Sequence, residues 1–199
     1  MMEITVKDNI KEVQRQLSRL QRKQLPFATS MALNNTAFQA QRALKKQAPI
    51  KMDRPTKFTV NAFQVKKSSK RNLVATVFVN ENRADYLKYQ IHGGTRVSKG
   101  RGTGVPTRHK KLNAYGNVPG RRSGLVKGKK QFIATIKGVP GVWQRYGRGG
   151  RAVKLMVGFE KQVTYRPRFP FYKIVGGLVR NRFQKNMEAA IVRALQTSR

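Results

Sequence analysis

Catalysis needs side chains that exchange protons, hold metals or attack substrates, and this chain has few of them. Its 199 residues include 8 Asp or Glu, 2 His and no Cys. Without a thiol, disulfide frameworks, thiolate zinc sites and cysteine nucleophiles are excluded. His92 and His109 lie in glycine-rich and basic stretches with no neighbouring ligand residues, so no metal site is expected. General acid–base work needs carboxylates or imidazoles that converge on one place. Asp8 and Glu12 instead share one helical stretch, Glu188 belongs to another, and the rest are scattered. In so positive a field a carboxylate is held in its charged form, which suits ion pairs better than a proton donor. No paired carboxylates offer a magnesium site. The sequence therefore predicts no enzyme, no cofactor and no metal.

Two glycine-containing stretches invite a nucleotide reading, and both fail it. Gly100-Arg101-Gly102-Thr103-Gly104 lacks the dinucleotide spacing and follows no strand pattern. The stretch Ser123 to Lys130 (SGLVKGKK) lacks the opening glycine of a phosphate loop, and Lys130 stands where a Ser or Thr would hold magnesium.

What remains is charge. Lys and Arg number 43, for a formal net charge of +35. Between Asp85 and Glu160 there is no carboxylate at all. Solubilising surfaces interleave both signs, whereas an excess of one sign opposes compaction and calls for an anionic partner. The candidate binding residues are Arg96, Lys99, Arg101, Arg108, Lys110, Lys111, Arg121, Arg122, Lys127, Lys129 and Lys130. Lysine meets a phosphate as a point charge and arginine as a planar fork. Tyr115 alone interrupts them, so base stacking on single strands is not indicated. No stretch has the layout of a recognition helix. The pattern fits contact with a nucleic-acid backbone, with steep salt dependence, or contact with an acidic protein neighbour.

These residues need a scaffold. Val6, Ile10, Val13, Leu17 and Leu20 recur at helical spacing and predict a helix from about Asp8 to Leu25, broken at Pro26. A second helix, Phe27 to Gln47, is rich in alanine and closed by Pro49; a helical hairpin or one long helix kinked at Pro26 both fit. Strand character is expected from Phe58 to Val65, then a turn at 68–72 and a partner strand from Leu73 to Val79. Residues 84–91 read as a short helix or extended arm. Residues 93–130 read as a basic, Gly-rich extended loop without hydrophobic period. Strands are expected at Phe132 to Lys137 and Ala152 to Phe159, joined by a glycine-rich, aromatic connection over 141–150. Pro170 opens a last helix reaching about Thr197. The expected class is α+β: one domain over 1–199, an antiparallel sheet covered by N- and C-terminal helices, with the basic loop inserted. No run approaches the ~20 apolar residues that span a bilayer, and the start of the chain lacks a secretory h-region. A soluble protein with no membrane partner is the expectation.

Four segments carry a family resemblance: LPFATSMALNNTAFQAQRALKK (Leu25 to Lys46), YLKYQIHGGTR (Tyr86 to Arg96), LNAYGNVPGR (Leu112 to Arg121) and FYKIVGGLVRNRFQKNMEAAIVRAL (Phe171 to Leu195). In pattern and order they resemble tail-completion proteins of long-tailed bacteriophages, nearest the minor tail protein Z family of lambda-like phages. The resemblance implies a structural virion protein, assembled in the host cytoplasm and placed at the tail neck. It would form a homo-oligomeric ring, a hexamer by the tail's symmetry. There it would complete the head-proximal end of the tail beside the tail terminator, tail tube and head-connector proteins, and it would meet viral DNA non-specifically. The competing class is a free, sequence-nonspecific nucleic-acid-binding protein such as a ribosomal or nucleoid component, which explains the charge but not the four segments.

Overall fold

The structure, a computed structural model, describes residues 3–6, 19–98, 100–119 and 130–197, with backbone alone for 3–6, 19–23, 83 and 84. It has the expected α+β class. The chain divides into two compact units, residues 1–91 with 168–199, and residues 92–167.

The first unit is built on a long helix, α1 (Arg19–Lys51). Of the two arrangements open at Pro26, a hairpin or one long helix, the chain forms the one long helix, and Pro49 does not end it. A proline inside a helix removes one N–H and strains one turn. Here Thr29 donates its hydroxyl to the Leu25 carbonyl at 2.9 Å, and the following turns are held by tertiary packing. Ala28 and Ala32 are buried with Ala190 and Ala194 of α5 (Phe171–Gln196). Small side chains at this seam let the two backbones approach closely. The part of the expected first helix over 8–18 lies outside the described residues.

Thr56 reverses the next expectation. Its hydroxyl accepts the Thr59 N–H and caps a short helix, α2 (Lys57–Val60), where a strand is expected. A side-chain oxygen that satisfies an orphan N–H favours the helical turn over extension. The strand is confined to β2 (Phe63–Lys66), which pairs antiparallel with β3 (Ala75–Val79). The turn between them forms as expected, with Ser69 and Asn72 bonded reciprocally. On its other side β3 takes β1 (Glu3–Val6), giving the order β1-β3-β2. Residues 81–92 supply α3 (Glu81–Ala84) and α4 (Leu87–His92). Leu33 and Leu44 of α1, Val77 and Val79 of β3, Leu87 and Val175 close one core. Phe63 stacks on Phe169 at 5.3 Å between ring centroids and on Phe171 at 6.3 Å. Burying each such side chain contributes roughly 1.5–3 kcal/mol.

The second unit is all β, and here the sequence reading changes most. The stretch expected as an unstructured basic loop contributes β4 (Gly94–Val97) and β5 (Thr103–Pro106). The expected connection over 141–150 is largely a central strand. Four strands, β5, β6 (Gln131–Ile136), β7 (Val139–Tyr146) and β8 (Ala152–Glu160), form an antiparallel sheet in the order β5-β8-β7-β6. Lys137 and Gly138 join β6 to β7 with φ of 51° and 77°, the left-handed pair that a two-residue hairpin turn requires. β9 (Gln162–Tyr165) follows β8 after Lys161 alone and pairs with β4. Val142, Met156, Val157 and Phe159 form the core of this unit, with Val118 packed against them. The chain turns over residues 113–117. The Asn113 side chain accepts the N–H groups of Tyr115 and Asn117 at 3.0 and 2.9 Å.

Candidate polyanion-binding surface

The second unit concentrates the charge. Glu160 is the only carboxylate side chain in residues 92–167. Arg96 is carried on β4 and exposed. Arg101 is exposed where the chain leaves the strand pairing between β4 and β5. At this departure Ser98 donates its N–H to the Lys161 carbonyl at 2.9 Å. Opposite, Gly102 has φ of +108°, and a Cβ there would lie 3.0 Å from the Glu160 carbonyl oxygen. Only glycine closes this departure against β8 without strain.

After β5 the chain turns over Thr107, whose hydroxyl donates to the Leu155 carbonyl at 2.6 Å. This turn leaves Arg108 and Lys111 exposed, but Lys110 is 8% exposed and belongs to the buried polar residues. Lys110 is therefore not on the open surface that the sequence pattern assigned to it. Lys130 is exposed at the start of β6. Lys99, Arg121, Arg122, Lys127 and Lys129 lie outside the described residues.

The described positions do not gather into one ribbon. Arg96 is on the separate β4–β9 pair, Arg101 just precedes β5 at one edge of the four-stranded sheet, and Lys130 directly precedes β6 at the other edge. At ~4.8 Å per strand, three strand spacings separate those edges by roughly 14 Å. Cations missed from sequence lie between them. Arg145 on β7 holds its guanidinium 5.0 Å from the centroid of Phe132 on β6. Lys154 on β8 lies 5.5 Å from the centroid of Tyr146 on β7. The alternation in VWQRY carries the signal for this strand, which the surrounding glycines obscured. Contacts of this kind fix a cation's direction at modest energy.

Other chemistries gain no support. Among the described residues no three His, Cys, Asp or Glu side chains lie close enough together to hold a metal. His109 is exposed, and its backbone N–H reaches the Thr107 hydroxyl at 3.4 Å. No described helix is long and apolar enough to cross a membrane. The resolved titration shifts lie in the first unit. A hydrogen bond from Arg54 holds the Asp53 carboxyl below the ordinary aspartate range, and a bond to Asp85 raises Lys88. None of this sets up proton transfer. What the second unit can do is present fixed positive charge. A comparison with protein-family models, with curated proteins and with solved structures finds no match to this chain.

Proposed function

We propose that the chain is a structural virion protein that completes the head-proximal end of a phage tail and helps join it to the head connector. Its second unit lies against DNA or an anionic subunit. One observation carries the charge half of this reading. Residues 92–167 hold a single carboxylate, Glu160, while Arg96, Arg101, Arg108, Lys111, Lys130, Lys137 and Arg145 are exposed. Such an imbalance is costly in isolation and is relieved by a polyanion. The virion half rests on the four segments that resemble tail-completion proteins, and the homo-oligomeric ring comes from the same resemblance.

The test uses particles made by the phage or prophage whose genome encodes the chain. Immunogold labelling of the chain is expected at the head–tail junction. Replacing Arg96, Arg101, Arg108 and Lys111 together with Ala is expected to leave heads and tails formed but to impair DNA retention or delivery. Label absent from purified particles, with the chain found free on host nucleic acid, would overturn the reading in favour of a free nucleic-acid-binding protein.

A further inference from the structure

The four-stranded sheet of the second unit has two edges, and they are finished differently. β5 is four residues long and ends in Pro106, which has no N–H to offer a further strand. β6 is six residues long, with neither proline nor charge inside it. Arg145 donates its N–H to the Lys130 carbonyl at 2.9 Å, so residue 130 turns its backbone groups toward β7. In an antiparallel ladder that direction alternates, which turns the N–H and C=O of Ile133 and Thr135 outward. The partner of Thr135 on β7 is Pro140, which cannot donate to it, and this agrees. Among the described residues nothing pairs with these outward groups.

Open strand edges are normally blunted by charge, proline or a bulge, because they are templates for another strand. β6 has apolar side chains on both faces as well. Ile133 is 43% exposed on one, and Phe132 and Ile136 are half-buried on the other. Its two ends carry Lys130 and Lys137, both exposed, and no ion pair with a carboxylate engages either among the described residues. A second β6 added antiparallel would pair outward residues with outward residues and bring the Lys130 end of each strand beside the Lys137 end of the other, like charge near like charge at both ends, which disfavours a copy of this chain. An extended segment with carboxylates at its ends meets both lysines.

We propose that β6 is a docking edge that accepts an extended, acid-ended segment of another protein as a fifth strand. Main-chain bonds to Ile133 and Thr135 would give the pairing, and Lys130 and Lys137 would select the partner. This inference goes beyond the tail reading and does not rest on it, since a strand edge binds or fails to bind whatever particle the chain belongs to.

The experiment uses the full chain and two synthetic heptapeptides of alternating valine and threonine, one with aspartate at both ends and one with lysine. Binding is followed by the fluorescence of Trp143, which lies on β7 opposite Phe132. The aspartate-ended peptide is expected to bind about tenfold tighter, as two exposed charge pairs allow. The double variant Lys130→Glu with Lys137→Glu should reverse the preference. Thr135→Pro withdraws one outward N–H from an edge position that tolerates proline, and it should abolish binding with the circular dichroism unchanged. Equal binding of both peptides, or of neither, overturns the proposal. So does aspartate-peptide binding that survives Thr135→Pro, which would be general attraction to a cationic surface. Self-association of the chain that Thr135→Pro dissolves would overturn it too, and would assign the edge to a second copy.

Discussion

Asn186 of α5 donates its side-chain amide to the Thr36 hydroxyl of α1 across 2.8 Å. Thr36 is 2% exposed and donates its own hydroxyl to the Ala32 carbonyl at 2.8 Å. Gln39 exchanges two further bonds with Asn186, at 3.1 and 3.2 Å. Around it the two helices meet through apolar side chains without direction, the alanines Ala28, Ala32, Ala190 and Ala194 among them, so this polar knot helps set their register. Asn186→Ala would leave the buried Thr36 hydroxyl and the half-buried Gln39 oxygen without this donor, at a cost of about 1–2 kcal/mol. In a chain of this size thermal unfolding should then begin roughly 2–8 °C lower. An unchanged melting temperature would show that the knot is not a stabilising contact.

The two halves of the fold differ in how plainly the sequence announces them. α5 is legible because Ile174, Leu178, Phe183, Met187 and Ile191 keep helical spacing after Pro170. The β2–β3 hairpin is legible from LVATVFV and the polar turn before it. Pro26 leaves a hairpin and a single helix both open to a sequence reading, and tertiary packing along the alanine seam, which outweighs one lost hydrogen bond, decides for the single helix. Phe58 and Val60 mislead because alternation is cheap to find over four residues, while the Thr56 cap is a local bond that decides the matter. In the second unit β4 and β5 have little hydrophobic pattern of their own. They are strands because β8 and β9 offer a ladder, and a partner distant in sequence is hard to read from the segment alone. The cationic candidates are legible as a composition, but not as an arrangement. Lys110 turns inward, and Arg145 and Lys154 enter only once β7 and β8 are seen side by side.

Gly141 tests the second unit's sheet. A Cβ at this position would lie 2.3 Å from the Val157 carbonyl oxygen and 2.7 Å from a Leu155 methyl. The leucine can turn away, but the backbone carbonyl cannot without breaking the β7–β8 ladder. Gly141→Ala should cost about 2 kcal/mol or more, seen as faster amide exchange in β7 and β8. Exchange at the wild-type rate would contradict the close approach.

Lys137 occupies a left-handed position that asparagine adopts more readily. Lys137→Asn should therefore stabilise the β6–β7 hairpin by a few tenths to about 1 kcal/mol. Equilibrium denaturation followed at Trp143 checks this, and a destabilised variant would count against the turn geometry.

Asp53 gives a pH signature. The Arg54 guanidinium donates to its carboxylate at 2.9 and 3.1 Å, and this bond lowers the carboxyl's pKa below the ordinary value. A group lowered on folding favours the folded state above its unfolded pKa, and that contribution is lost as pH falls through the folded one. Carboxyl-carbon NMR should show Asp53 titrating below a free aspartate, with Arg54→Ala returning it to the ordinary range. Titration of wild-type Asp53 at the ordinary value would remove the pair from the account.

The central claim is that the second unit's cations exist to meet a polyanion, and salt reads this directly. Affinity of the full chain for a mixed-sequence DNA duplex, measured from about 50 to about 200 mM salt, should fall linearly on a log–log plot, by roughly 0.9 in slope per phosphate neutralised. Replacing Arg96, Arg101, Arg108 and Lys111 with Ala should flatten that slope by about 3 to 4. The matched variant with Arg42, Lys46, Arg182 and Lys185 of the first unit replaced should leave it steep. A slope near zero for the unaltered chain, or the same flattening from both variants, would contradict the claim.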